Sequence, residues 1–179
     1  GYGGGDFTVH GGAVYFAAQK TGRLFRQTLA EGSPQPLTPS FGAVASPVVS
    51  PDNRWVVYVH CDDDANDRLA IVDTQGRHWP AKLTSGHDFY MQPRWSPDGR
   101  QLAWIAWDHP NMPWDGTLLY LASVVDAEGG LPQLTNIRVV AGGSETSIFQ
   151  PEFSPDRLHL LYVSDETGWG RIVAHNLET

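Results

Sequence analysis

Hydrophobic residues along this chain come in short runs that polar or glycine-containing turns separate. The runs are rich in Val, Leu, Trp and Tyr, as in WVVYVH, QLAWIAW and HLLYVS. β-Branched and aromatic residues between turn residues are typical of strands. No window keeps a period of 3.6 residues, the pattern that indicates a helix. The pattern therefore predicts an all-β chain with no significant helix.

Three of the runs follow the same Ser-Pro-Asp marker. The segments are SPVVSPDNRWVVYVH, QPRWSPDGRQLAWIAW and QPEFSPDRLHLLYVSD, in which Ser50, Ser96 and Ser154 are equivalent and lie 46 and 58 residues apart. Pro fixes φ, Asp accepts bonds from nearby amides, and Gly or Asn tolerates positive φ, so the marker predicts a tight turn. Each copy is therefore a predicted hairpin. FTVHGGAVYFAAQ, with Gly11 and Gly12 at the turn, is an earlier and degenerate copy.

Further strands are predicted after each hairpin. The third strands are GRLFRQTLA, DRLAIVDTQ, GTLLYLASVV and GRIVAHNLE, and the fourth strands are QPLTPS, AKLTSG and IRVVAGG, the last after an enlarged loop, DAEGGLPQLTN. Four short strands that recur every 40 to 60 residues or so are typical of β-propeller blades. A β-sandwich of irregular hairpins is the alternative, but it gives no reason for the same turn to recur at the same phase.

We therefore predict a partial β-propeller of about four blades, each of four antiparallel strands, over residues 1–179. Blade 1 covers about 6–40, blade 2 about 44–86 and blade 3 about 90–143. Blade 4, at about 148–179, is incomplete because no fourth strand follows its third. An incomplete blade leaves a strand edge unpaired, which favours association, so we expect a homodimer that covers the open edges.

Charge and cysteine content narrow the classes of partner. The 12 basic and 20 acidic residues give a formal charge of −8, which argues against a nucleic-acid surface, since such a surface needs a basic patch. The apolar runs are far shorter than a membrane span. Cys61 is the single cysteine and cannot form an internal disulfide, which indicates a reducing compartment and a cytoplasmic location.

Several longer segments resemble one family. They are YGGGDF, VYFAAQKTGRLFRQ, PQPLTP, DFYMQPRWSPDGRQLAWIAWDHPNMPWDGTLL, VAGGSETSIFQPEFSPD and SDETGWG. Through them the chain resembles the TolB-like propeller of bacterial serine peptidases in the prolyl oligopeptidase family, of the acylaminoacyl-peptidase or dipeptidyl-aminopeptidase-like branch. SPDG alone is common among TolB-like propellers, whereas WDHPNMPWDG beside SIFQPEFSPD is specific. The resemblance implies a propeller of about seven blades and then an α/β-hydrolase domain with catalytic Ser, Asp and His.

The sequence itself lacks the hydrolase signature. The Gly-x-Ser-x-Gly elbow of an α/β-hydrolase is best approached by residues 142–146, GGSET, which fail at the last position. We therefore expect no catalytic residue in this chain and no cofactor. The expected function is to gate and dock peptide substrate for an α/β-hydrolase domain absent from this chain. A stand-alone TolB-like binding module is the alternative.

Strand alternation groups the unusual loops at one end of the blades, opposite the Ser-Pro-Asp turns. These loops are GYGGGD, HCDDDAND, SGHDFYM, WDHPNMPWDG and GGSETS. The resemblance implies that this end faces the catalytic domain and the substrate cavity. The candidates for contact with substrate or with that domain are Asp108, His109, Trp114, Asp115 and Glu145. A carboxylate such as Glu145 can pair with the amino terminus of a peptide. The alternatives are a solvated acidic loop, and Trp107 and Trp114 as caps of the blade.

Two metal sites are weaker hypotheses. Asp62, Asp64 and Asn66 have the 1-3-5 spacing of a calcium loop, but Asp67 stands where Gly is needed, so a solvated hairpin tip is favoured. His60, Cys61 and His87 have no second ligand pair to complete a soft-metal site. We expect no metal.

Overall fold

The computed structural model describes residues 6–30, 32–127 and 130–178, so residues 1–5 of the predicted GYGGGD loop lie outside it. Within those ranges the chain forms fifteen β-strands and no helix, in four antiparallel sheets. The all-β prediction is confirmed. The strands fall into two compact units, the first formed by Gly1–Gly86 with Ala127–Leu131 and the second by His87–Asp126 with Pro132–Thr179.

The first unit holds two four-stranded sheets in which the strands pair in chain order. One sheet consists of β1 (Phe7–His10), β2 (Ala13–Ala18), β3 (Arg23–Thr28) and β4 (Gln35–Pro36). The other consists of β5 (Ala43–Val49), β6 (Trp55–Cys61), β7 (Asp67–Asp73) and β8 (Ala81–Thr84). The core of the first unit draws on both sheets and includes Tyr15, Leu24, Val56, Tyr58 and Val72. The middle strands β6 and β7 are buried along almost their whole length, which accounts for their nearly continuous hydrophobic sequence.

The second unit holds one sheet of four strands and one of three. The first consists of β9 (Phe89–Trp95), β10 (Gln101–Trp107), β11 (Leu118–Val125) and β12 (Gln133–Gly142). The second consists of β13 (Ile148–Phe153), β14 (His159–Ser164) and β15 (Arg171–Asn176). Ile105, Leu119, Leu121, Ile148 and Leu160 belong to its buried core.

One strand boundary was predicted wrongly. The enlarged loop DAEGGLPQLTN was expected to run through residue 136, with the strand at 137–143. Instead β12 begins at Gln133, because Gln133 already pairs with Val125 at the end of β11. The loop is correspondingly shorter, and the pairing extends over a long, largely exposed strand that the hydrophobic pattern did not reveal.

Each Ser-Pro-Asp turn is closed by its own side chains. Ser96 donates its hydroxyl to Asp98 Oδ1 at 2.7 Å and accepts the Gln101 N–H at 2.9 Å, while Asp98 Oδ1 also accepts the Arg100 N–H at 3.1 Å. The turns at Ser50 and Ser154 repeat these bonds. The next residue adopts positive φ in all three turns, at 59° for Asn53, 72° for Gly99 and 67° for Arg157.

Three contacts link the two sheets of the second unit along β9 and β13. Gln92 Oε1 accepts the Gln150 N–H at 2.7 Å, and Arg94 Nε donates to Glu152 Oε1 at 2.7 Å. At the turn, Arg157 Nη1 lies 3.4 Å from Asp98 Oδ2. Gln92 and Gln150 are equivalent bulge residues, with φ of 51° and 52°. We call these three pairs the inter-sheet ladder.

Candidate functional site

The ten-residue stretch 108–117 lies at the opposite end of its sheet from the Ser-Pro-Asp turn, as strand alternation predicted. In the β9–β10 pair, Phe89 is opposite Trp107 at one end and Trp95 is opposite Leu102 at the other. The segment 143–147 joins the first of these ends, because Gly142 pairs with Leu118. We call the group formed by residues 87–88, 108–117 and 143–147 the loop end of the second unit.

Internal bonds fix the shape of the 108–117 loop. Asp115 Oδ2 accepts the Met112 N–H at 2.9 Å, and the Asp115 N–H donates to the Met112 carbonyl at 2.9 Å. The Asn111 N–H donates to the Asp108 carbonyl at 3.1 Å. Asp115, a predicted contact residue, therefore serves to hold the loop in its turn.

The loop is also tied to the segment 143–147. Asn111 Nδ2 donates to the Ser144 carbonyl at 2.9 Å, and the Ser147 hydroxyl donates to the Pro113 carbonyl. Gly116 allows the approach, since a Cβ at this position would lie 2.4 Å from the Ser144 oxygen. The stretch is longer than a hairpin turn because it reaches the segment 143–147 that leads to β13.

Four residues in two adjacent segments form reciprocal hydrogen bonds, and we call them the crossed brace. Asp108 Oδ1 accepts the Asp88 N–H at 2.8 Å, and Asp108 Oδ2 lies 2.7 Å from His87 Nδ1. In return, Asp88 Oδ2 accepts the His109 N–H at 2.9 Å and lies 3.0 Å from His109 Nδ1. These bonds from His109, its backbone N–H first, hold the pKa of Asp88 below its usual value. The brace fixes the start of the 108–117 loop against the start of β9.

The brace continues to Tyr120 on β11. Its hydroxyl lies 2.8 Å from His87 Nε2, and its ring stacks on Trp104 with centroids 5.3 Å apart. A carboxylate only accepts, so His87 Nδ1 donates toward Asp108, and Nε2 of the same ring forms a hydrogen bond with the Tyr120 hydroxyl. Burial, and then the charge of Asp108, raise the pKa of Tyr120. The arrangement keeps Tyr120 protonated and orients the loop, which is a positioning role.

The candidate residues differ in how much of each side chain is exposed to solvent. Trp107 is only 3% exposed and stacks on Phe89 at a centroid distance of 5.1 Å, so it belongs to the core. Trp114 is 63% exposed, and Met112, which the sequence did not single out, is 43% exposed. Glu145 is exposed at the same end. Asp108 and His109 are held in the crossed brace.

Sequence reasoning missed part of this arrangement. His87 was considered only for a metal site, and Asp88 and Tyr120 were not singled out. Their signal is the sequence SGHDFYM, whose His-Asp pair mirrors the Asp-His pair of WDHPNM. Two such pairs at the facing ends of a hairpin can bond reciprocally, as they do here.

The acidic hairpin of the first unit is held by its own bonds. Asp62 Oδ1 accepts the Asp64 and Asn66 N–H groups at 3.1 and 2.9 Å, and Asp62 Oδ2 pairs with Arg68. This supports the hairpin-tip interpretation over a calcium loop. No group of three or more His, Cys, Asp or Glu in the described ranges is arranged to hold a metal ion. Nor is any helix in those ranges long and apolar enough to cross a membrane.

Comparison with known proteins finds peptidases among the solved structures that resemble the chain. No family model and no curated protein matches it. Among solved structures, a puromycin-hydrolyzing peptidase of Mycobacterium tuberculosis matches with 30% identity and a TM-score of 0.83, over 100% of this chain and 30% of its own. A puromycin hydrolase matches with 30% identity and a TM-score of 0.80, over 99% of this chain and 31% of its own.

A putative TolB from Agrobacterium tumefaciens shares the fold, with 18% identity and a TM-score of 0.64 over 94% of this chain and 55% of its own. The chain thus spans less than a third of the length of the peptidases that it matches. These matches, with the four antiparallel sheets, show that the chain resembles the TolB-like β-propeller part of peptidases in the prolyl oligopeptidase family.

Proposed function

We propose that the chain is the non-catalytic propeller segment of a serine peptidase, in which an α/β-hydrolase domain outside these 179 residues performs the chemistry. The observation that carries this is the match of the whole chain to less than a third of two puromycin-hydrolysing enzymes. The sequence has no Gly-x-Ser-x-Gly elbow of its own. The segment gates and docks the substrate, as in the acylaminoacyl- or dipeptidyl-peptidase-like branch.

The loop end of the second unit is the proposed docking surface. Trp114 and Met112 offer exposed apolar area, and Glu145 offers an exposed carboxylate. The crossed brace and Asp115 hold the loop that carries Trp114 and Met112. Puromycin has a free α-amino group next to an amide bond, and a carboxylate pairs more strongly with such an ammonium when a second domain excludes water. We therefore assign the docking of substrates with a free amino terminus to this end.

The first test is the reactivity of the chain alone. Residues 1–179 should neither hydrolyse puromycin nor react with a fluorophosphonate probe, because no serine lies at a nucleophile elbow. Stoichiometric labelling of any serine would contradict the proposal. Mass spectrometry of the intact protein after probe treatment measures this directly.

The second test uses the full-length protein. Glu145→Gln should raise KM for puromycin roughly tenfold, the size of one charge-assisted hydrogen bond. It should leave an N-acetylated aminoacyl substrate unaffected. Asp126→Asn, an exposed carboxylate at the other end of the same sheet, is the matched control. Equal KM values for wild type and Glu145→Gln on both substrates would remove Glu145 from the docking site.

A stand-alone TolB-like binding module is the second candidate, and the fold match to a putative TolB over 94% of the chain favours it. The two candidates differ in the coding sequence beyond residue 179. A following α/β-hydrolase domain with its serine elbow supports the peptidase, and an unrelated domain supports the binding module.

A further inference from the structure

The turn between β14 and β15 carries an exposed tryptophan that the proposed docking surface does not include. Trp169 on this turn is 84% exposed. Ser164, the last residue of β14, pairs with Ile148, the first residue of β13, so the turn lies beside the segment 143–147 that precedes β13. Tryptophan is enriched among the residues that dominate binding energies. The position of Trp169 therefore indicates a contact surface that continues the loop end of the second unit.

Ser147 joins this turn to the 108–117 loop. Its N–H donates to Asp165 Oδ1 at 2.7 Å, and its carbonyl accepts the Asp165 N–H at 3.3 Å. Its hydroxyl donates to the Pro113 carbonyl in the 108–117 loop. Ser147 is buried, so water does not compete freely for these bonds. Trp114 directly follows Pro113, and Trp169 lies in the turn that begins at Asp165. The bonds of Ser147 therefore hold the two turns that carry the exposed tryptophans beside each other.

Glu145 lies on a third turn, which borders the other two. Gly143 and Thr146 form a bridge that closes this turn, with Ser144 and Glu145 at its tip. The Asn111 side chain fixes the tip through its bond to the Ser144 carbonyl. Glu145 is exposed and forms no ion pair with another residue in the described part of the chain. The second unit thus presents a carboxylate beside two turns that each present an exposed tryptophan.

This combination fits an amino-terminal residue with a large apolar side chain. The ammonium group and the side chain of such a residue are attached to the same α-carbon, so its binding requires an anion and an apolar surface that lie close together. A carboxylate forms a charge-assisted hydrogen bond with the ammonium. Tryptophan rings offer a large apolar area that pairs well with aromatic side chains. A small side chain such as that of alanine gains little from the same rings.

We propose that Trp114 and Trp169 select substrates whose amino-terminal residue has a large apolar side chain, while Glu145 holds the ammonium group of that residue. This inference rests on the proposed function, because a catalytic domain outside these residues has to cleave the bond that follows the selected residue. It adds Trp169 as a specificity-determining residue. It also names the substrate class as amides and peptides that begin with an unblocked aromatic or large aliphatic residue.

The test measures kcat/KM of the full-length protein on phenylalanyl and alanyl amides of aminomethylcoumarin. Wild type should prefer the phenylalanyl amide roughly 25-fold, with about fivefold from each tryptophan, the effect of one aromatic contact. Trp114→Ala and Trp169→Ala should each lower the preference about fivefold, and Trp114→Phe and Trp169→Phe should keep it within about threefold of wild type. Trp79→Ala removes a tryptophan of the first unit that is 74% exposed, and as the matched control it should leave the preference unchanged.

Circular dichroism of every variant confirms that the sheets are intact before rates are compared. An equal loss of kcat/KM on both amides in the Ala variants overturns the proposal, because the tryptophans then contact another domain and not the substrate side chain. Hydrolysis of both amides without a preference, or with one that neither Ala variant changes, also overturns it and leaves the proposed function standing. A full-length protein that hydrolyses neither amide contradicts the proposed function itself, and this assignment with it.

Discussion

Arg157 occupies a turn position that glycine fits better. Its φ of 67° equals that of Gly99 at the equivalent position, 72°, within a few degrees. An L-residue in the left-handed region is roughly 1–2 kcal/mol less favourable, because its Cβ crowds the backbone. Glycine loses roughly 0.4–1 kcal/mol of this advantage, because an unfolded chain with Gly at this position has more conformational entropy to lose on folding than one with Ala. The net advantage of Gly over Ala at position 157 is therefore about 1 kcal/mol.

The comparison needs Ala rather than Arg as the reference. The Arg157 side chain lies 3.4 Å from Asp98 in an exposed ion pair worth roughly 0–1 kcal/mol. Arg157→Gly and Arg157→Ala both remove this pair, so their difference isolates the backbone effect. Gly99→Ala makes the opposite change in the neighbouring turn and should destabilise by about the same 1 kcal/mol.

Urea unfolding followed by tryptophan fluorescence measures these differences. Arg157→Gly should unfold at higher urea than Arg157→Ala, and its Tm should be roughly 2–4 °C higher for a chain of this size. If Arg157→Ala proves as stable as Arg157→Gly, the left-handed backbone at this turn costs nothing measurable, and the reasoning is refuted.

Three other outcomes are expected. Trp107→Ala should cost roughly 3–5 kcal/mol of unfolding free energy, because Trp107 is buried against Phe89, whereas Trp114→Ala should cost under about 0.5 kcal/mol in the same urea titration. Burial, and then a hydrogen bond with Asp67, raise the pKa of Cys61 to about 11. Iodoacetamide at pH 8 should therefore alkylate Cys61 roughly 100-fold more slowly in the folded protein than in the urea-unfolded protein, and equal rates would contradict this. The Ser154 hydroxyl and the Leu158 N–H hold the pKa of Asp156 below its usual value. The stabilisation that ionised Asp156 contributes should therefore be complete above about pH 4 and should be lost as the pH falls through the pKa of Asp156 in the folded protein. The free energy of unfolding of Asp156→Asn should fall less steeply over the same pH range.

The repeated turns made most of the fold predictable. Ser-Pro-Asp at fixed phase, with β-branched and aromatic runs on either side, locates the hairpins and the order of strands without any tertiary information. Strand β12 was not predicted in full because seven of its ten residues are exposed, so polar and apolar positions do not alternate as they do on a half-buried strand. Its position depends on pairing with β11, which the local sequence does not encode.

The candidate site was predictable in place but not in role. Strand alternation located Asp108, His109, Trp114, Asp115 and Glu145 at one end of the blades. It could not tell a contact residue from one that holds a loop, because that distinction depends on partners distant in sequence. Asp108 bonds to residues 20 and 21 positions earlier.

The inter-sheet ladder has a consequence for how this protein can change over evolutionary time. Its pairs join residues 58 or 59 positions apart. Two of them connect equivalent positions of successive repeats, and the Asp98–Arg157 pair connects neighbouring positions of equivalent turns. The intervening chain contains the 108–117 loop and β12, and neither takes part in the ladder. Insertions and deletions in that intervening chain leave the two sheets in the same arrangement, because the ladder contacts lie on β9, on β13 and at the turns that follow them. Loop length is thereby free to vary under selection, and transplanting loops between related propellers should preserve the arrangement of the sheets.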